Sequence, residues 1–367
     1  MKLVYKYSLA IILSLLSIVV FAAPAKQVFT KNIKKEFSVS GNGTCEIINM
    51  YGIVELKTWD KNKVKVDVLI SIKADTEASA KNSIENIVIY FDNSADFVSA
   101  RTEIKEKMSK WNSNMNLSID YLVYIPESLN LKLTNKYGNV SIPNCTGSVS
   151  LNLKHGDASV SSIEGDFDLV LAHGNLISKQ INTMVASVSY SDVSVAKINN
   201  LRLNSKYSEY TLPVVRKLIL NSKYDDFLVG QIELLDSEAK YTDFKIGKCE
   251  ELLIEAEFTD LDIDLLKDAA RFNMKYGEAN IASLARGFGN ISLAGKYTDF
   301  NLNVEEGSNY QLTAVCDYAG IDYPSNLRVT YEVEKSSFHE LEGYIGIQGS
   351  RSKIQAVLNY GGLEINE

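Results

Sequence analysis

Seven carboxylates, Asp192, Glu209, Asp226, Asp243, Asp260, Glu278 and Asp299, recur at nearly constant intervals, each two residues after an aromatic ring. Asp157 holds the same place two coils before Asp192, and Asn139 and Asn175 take it elsewhere. A column of carboxylates about 5 Å apart repels itself, so a calcium ladder is the chemistry to consider first. Calcium asks for six to eight oxygens per ion, and the glycine-rich nonapeptide pattern of calcium-binding β-helices is missing. Turn-forming acids balanced by the lysines that precede most rings (Lys136, Lys154, Lys206, Lys223, Lys240, Lys275 and Lys296) are the better reading. Asp260, Asp262 and Asp264 form the densest cluster and are the place to look for a cation.

His155 and His173 occupy the ring position in successive units, but a third metal ligand is not evident beside them. Cys45, Cys145, Cys249 and Cys316 are widely spaced without a CxxC pair, so disulfides and buried free thiols both remain open. The sequence contains no GxSxG, HExxH or phosphate-binding glycine loop, and its arginines show no column. Neither catalysis nor any cofactor is expected.

The elements that carry these residues come from a repeat. The unit reads apolar-x-apolar-x-x-Lys-aromatic-small-acidic-apolar-x-apolar, as in "LILNSKYDDFLV" from Leu218 and "ISLAGKYTDFNL" from Ile291. Its aromatic position runs Tyr137, His155, His173, Tyr190, Tyr207, Tyr224, Tyr241, Phe258, Tyr276, Tyr297 and Tyr318, in steps of 17, 18 or 21. Phe338 and Tyr360 continue the series. Apolar residues six and four places before the ring, and three and five after it, alternate with polar ones as strands do. The two runs are out of step by one, so the chain bends between them. Strand, corner, strand and loop in so few residues leave no room for a crossover helix. One unit cannot bury its own apolar side, whereas stacked units can.

The expected fold is therefore all-β, a single-stranded β-solenoid of 17–21-residue coils. Propeller blades need about 40–45 residues, and an up-and-down barrel would not place an aromatic-acidic pair at one fixed corner. Residues 23–116 read as a first coil plus a strand-rich cap, with a helix near 75–86 N-capped by Asp75 or Thr76. Residues 117–367 read as the array, with 358–365 a final coil. Counting in twos from Leu218 gives the ring the facing of the buried positions, so the rings are expected to stack and fill the corner. The competing reading makes Tyr207, Tyr224, Tyr241, Tyr276 and Tyr297 an aromatic strip for a ligand.

Residues 1–22 have the basic start, apolar run and small-residue exit of a secretory signal peptide, and no later segment suits a transmembrane span. Loss of Lys2 and Lys6 with that leader takes the net charge from −8 to −10. Such a chain is a poor nucleic-acid binder.

"VELKTWDKNKVKVDV" from Val54 and "DYLVYIPESLNLKLTNKYGNVSIPNCTGSVSLNLKHGDASV" from Asp120 together resemble the bacterial putative-adhesin domain family, a domain of unknown function. The shared features are Trp59-Asp60 with Val64 and Val66, then Ile125-Pro126, then Tyr137-Gly138-Asn139-Val140-Ser141-Ile142. The chain departs from them by placing Ser, Thr or Asp where glycines are expected. The resemblance implies an exported β-solenoid in the periplasm, at the cell surface or outside the cell, with no catalytic residues to transfer. The expected function is a non-catalytic, adhesin-like platform for glycan or envelope-protein partners. The alternatives are a glycan-active β-helix lyase or hydrolase and a structural periplasmic spacer.

Overall fold

The computed structural model describes residues 27–105 and 116–367, so the expected leader and residues 106–115 lie outside the described residues. Mostly β, it is a solenoid of about ten turns. At its start are β1 (Gln27–Ser38), β2 (Thr44–Ile48), β3 (Val54–Thr58) and β4 (Lys63–Ala74). One helix, α1 (Glu77–Glu85), follows. It begins at Thr76, whose Oγ1 accepts the Ser79 N–H at 3.3 Å, and it buries Ala80. Next are β5 (Ile87–Asn93), β6 (Phe97–Ile104), β7 (Asn116–Ile125), β8 (Asn130–Lys136), β9 (Val140–Cys145) and β10 (Val149–Lys154).

Six strands of 15 residues form the regular middle: β11 (Ala158–Ala172), β12 (Asn175–Ser189), β13 (Asp192–Lys206), β14 (Glu209–Lys223), β15 (Asp226–Lys240) and β16 (Asp243–Glu257). The chain ends with β17 (Leu261–Leu284), β18 (Asn290–Val304), β19 (Tyr310–Asp322), β20 (Arg328–Lys335), β21 (Phe338–Ile345) and β22 (Ser352–Asn366).

Each strand from β11 to β17 runs parallel to the next, one coil on, so Leu201 pairs with Leu218, Leu218 with Leu235 and Leu235 with Leu252. Equivalent side chains thus fall into files, as one repeating pattern with one backbone course requires. Apolar positions on both sides of the corner are buried: Leu218 and Leu220 before it, Phe227 and Val229 after it, and their counterparts in other coils. Tyr210, Phe227 and Phe244 stack inside at centroid distances of 4.5 and 5.1 Å. In the coil that starts at Tyr224, in–out alternation breaks at the ring, at exposed Gly230-Gln231, and at Glu233-Leu234. Those breaks turn the coil.

The first coil is β2 and β3. On its outer side β6 and β5 extend one face, while β7, β4 and β1 extend the other, partly antiparallel. The other end departs from sequence order. β22 lies between β18 and β19 and is parallel to both, and β19 then pairs with the antiparallel hairpin of β21 and β20. The expected final coil is therefore an inserted one. Phe338 belongs to β21 and leaves the ring series, whereas Tyr360 joins it. Repeat spacing records that a strand of the right pattern exists, not which edge it finds.

Candidate functional site

Thirteen aromatic residues form one file along the solenoid. Its order is Tyr51, Tyr137, His155, His173, Tyr190, Tyr207, Tyr224, Tyr241, Phe258, Tyr276, Tyr297, Tyr360 and Tyr318, with neighbouring centroids 4.8–5.2 Å apart. Interplanar angles stay at or below 11°, so every ring between the two ends has a neighbour against both faces.

These same thirteen residues are the non-glycine residues with positive φ among the described residues, at 53–63°. A left-handed residue interrupts the two-residue alternation and turns its side chain outward. Tyr207, Tyr224, Tyr241, Tyr276 and Tyr297 are accordingly 43–47% exposed. The expectation that the rings share the facing of the core is corrected by this finding. Counting in twos assumes extended backbone through the corner, and the corner is not extended. L-residues avoid this region at a cost of about 1 kcal/mol or more. Parallel rings return about 1 kcal/mol per stacked pair. Thirteen corners and twelve stacks therefore nearly offset each other.

The residue after the ring is most often either a buried Ser or Thr or a glycine. Ser191, Ser208, Thr242, Thr259 and Thr298 are buried, and each hydroxyl donates to the carbonyl two residues back, at 2.9–3.3 Å. Gly138, Gly156 and Gly174 take the same place in earlier coils. A Cβ on Gly156 would lie 2.1 Å from the Gly138 carbonyl oxygen. In glycine coils the acidic column helps to hold the corner together. There Asn175 N–H donates to Asp157 Oδ1 and Glu278 N–H to Asp260 Oδ1, both at 3.0 Å. In coils with a side chain at that place, Glu209, Asp226 and Asp243 bond their N–H to a backbone carbonyl of the preceding coil instead. Substitution of the expected glycines therefore goes with a change of corner hydrogen bonding.

Asp225 holds this inward position with a carboxylate and is 2% exposed. It accepts the Ser208 N–H at 2.8 Å, the Lys223 N–H at 3.2 Å and the Ser222 hydroxyl. Burial pushes its pKa above the usual carboxylate value despite those donors.

Outside the ring file run a lysine file on one side and the carboxylates on the other. Among the described residues no lysine of that file forms an ion pair with the acidic column. Lys240 and Lys275 instead flank Glu257 at 3.0 and 3.5 Å, and Lys136 and Lys296 lie over Tyr137 and Tyr297 at 4.8 and 5.7 Å. The balance expected from lysines is thus spent elsewhere. Proximity of Asp260, Asp226 and Asp262 adds to burial in raising the Asp243 pKa.

Asp260, Asp262 and Asp264 alternate along one outward strand face, and Asp262 accepts Asn280 Nδ2–H at 3.2 Å. Among the described residues no three His, Cys, Asp or Glu side chains are grouped to hold a metal. His155 and His173 stack at 4.9 Å and 2°, which keeps their ring nitrogens from converging on one ion. All four cysteines are buried free thiols, which decides between the two open readings. No sequence signal pointed to the buried cluster of Ser222, Asp225 and Thr242, because an acid in a turn is ordinarily exposed.

No protein-family model matches the chain, and no curated protein matches it. Two solved structures overlap most of it. One is a putative cell adhesion protein from Clostridium sporogenes ATCC 15579, at 9% identity, covering 92% of this chain and 99% of that one with a TM-score of 0.20. The other is a putative lipid binding protein from Parabacteroides distasonis ATCC 8503, at 9% identity, covering 92% and 97% with a TM-score of 0.22. Superpositions that loose carry no functional argument.

Proposed function

We propose that this chain is an exported, non-catalytic, adhesin-like β-solenoid whose ring file and flanking charged files dock an extended glycan or protein partner in the cell envelope or at its surface. One observation carries the reading: a continuous, half-exposed aromatic file whose twelve steps extend on the order of 60 Å, at the strand spacing. Ring faces are taken up by neighbouring rings, so a partner meets ring edges and phenol hydroxyls. Lysine ammonium groups border it on one side and carboxylates on the other. That strip supplies hydrogen-bond donors and acceptors at a fixed repeat, which suits a polar polymer lying along the rod. Tyr207, Tyr224, Tyr241, Tyr276 and Tyr297 are the residues assigned to it.

Asn tolerates the left-handed region, so Tyr207→Asn, Tyr224→Asn and Tyr241→Asn together keep the corner while removing the rings. Binding to a glycan array or to envelope extracts should fall at least tenfold in that variant, with an unchanged far-ultraviolet spectrum. Unaltered binding defeats the reading. So does turnover of an acidic polysaccharide that Asp→Asn changes abolish.

A further inference from the structure

β22 enters the stack out of turn, and the sheet shows what that implies. Its residues pair with β18 on one edge (Ile354 with Ile291, Leu363 with Phe300) and with β19 on the other (Ile354 with Leu312, Leu363 with Ile321). β19 and β22 are near copies in this register. Ala314-Val315 matches Ala356-Val357, Tyr318 matches Tyr360, Gly320 matches Gly362, and Ile321 matches Leu363.

The approach to each strand is also copied. Turns closed by Phe288 N–H to Ala285, Ser308 N–H to Glu305 and Ser350 N–H to Ile347 precede β18, β19 and β22, with Gly287, Gly307 and Gly349 at positive φ in the third place. Residues 285–289 and 305–309 are loops of equal length, yet the first carries the chain to the adjacent strand and the second carries it across β22. The step from Tyr297 to Tyr318 is 21 residues, the same as from Tyr276 to Tyr297, whose coils are adjacent. The edge of β18 therefore suits either of two strands from its own chain.

We propose that this edge is a strand-acceptor site and that β22 of a second copy takes it in place of the chain's own, linking two copies by reciprocal strand exchange. The occupant is specified by register: Ile354, Ala356, Leu358, Leu363 and Ile365 are the buried apolar side chains that fill the slot between β18 and β19. Residues 346–351 are the hinge, with Gly346 and Gly349 at positive φ and Ile347 67% exposed. Opened to an extended strand, six residues reach about 20 Å, enough to pass to an adjacent molecule. Exchange of an identical strand through such a hinge replaces each lost contact with its equal.

Asn301 and Glu364 are register partners across β18 and β22. Full-length Asn301→Cys chains are mixed with full-length Glu364→Cys chains at high concentration, warmed below the melting point, cooled and oxidised. The four native thiols are buried and do not compete. A disulfide-linked heterodimer should form at least tenfold above a mixture of Asn301→Cys with Ser194→Cys, whose second cysteine lies on β13 instead. The single-chain Asn301→Cys/Glu364→Cys variant should close internally and fix the register. Internal closure with a mixture no better than the Ser194 control overturns the exchange. Failure of internal closure overturns the register on which it rests.

Discussion

Replacing Tyr224 separates the two forces that meet at the corner. Tyr224 stacks on Tyr207 at 4.9 Å and on Tyr241 at 4.8 Å, and its φ is 59°. Tyr224→Ala removes both stacks and keeps a Cβ in the left-handed region. At about 0.5–1.5 kcal/mol per stack the loss is about 1–3 kcal/mol. Tyr224→Gly loses the same stacks but releases about 1 kcal/mol of backbone strain. Glycine should therefore be the milder substitution, by about 1 kcal/mol. Within an ordinary strand the order is opposite, with glycine worse than alanine by about 0.5–1 kcal/mol. Reversible urea titrations of both variants give the global difference. Exchange of the Tyr224 N–H, which donates to the Lys240 carbonyl at 3.0 Å, reads the local one. If Tyr224→Ala proves equal to or more stable than Tyr224→Gly, the strain account of the corner fails.

Three further outcomes follow from burial. Leu220→Asp places a carboxylate at a 3% exposed position between coils and should cost several kcal/mol, visible as loss of the cooperative thermal transition; unchanged melting contradicts the stacking. Because the folded-state pKa of Asp225 is raised, the folded chain holds this proton more tightly than the unfolded chain. The contribution of Asp225 to stability is therefore present below the ordinary carboxylate pKa and is lost as pH rises through the folded value. Melting curves between pH 3 and 7 should show that slope diminished in Asp225→Asn, and an unaltered slope would assign it to other groups. Burial raises the Cys45, Cys145 and Cys249 thiols to about 12 and Cys316 to about 11, so an aromatic disulfide reagent at pH 8 should detect them only after unfolding. Prompt labelling of the native protein would contradict their placement.

Much of the fold was legible because a stack repeats its instructions. Leu218, Leu220, Phe227 and Val229 announce two strand runs and a bend, and each later coil says the same. The helix was legible from its alanines and from Thr76, and it runs 77–85 within the expected 75–86. Ring facing was not legible. Positive φ is ordinarily signalled by Gly or Asn, and a tyrosine there is tolerated only because its neighbours stack on it, a property of the assembled file rather than of any one residue. The place of β22 was equally hidden, since Tyr360 fits the pattern whether it follows Tyr318 or precedes it in space. At the candidate strip the residues were identifiable. Their relation to Lys240, Glu257 and Lys275 depended on side-chain reach across coils, which spacing does not encode.

The late arrival of β22 has a consequence for how the protein is made. A ribosome delivers residues 352–366 only after it has made β18 and β19, the two strands they must fit between. Growth of the stack from its amino end is therefore never simply terminated. It must remain open at one seam until β22 arrives. A product cut short by those residues would be an unsealed rod rather than a slightly shorter one, and proteases that sample open edges would tell the two apart.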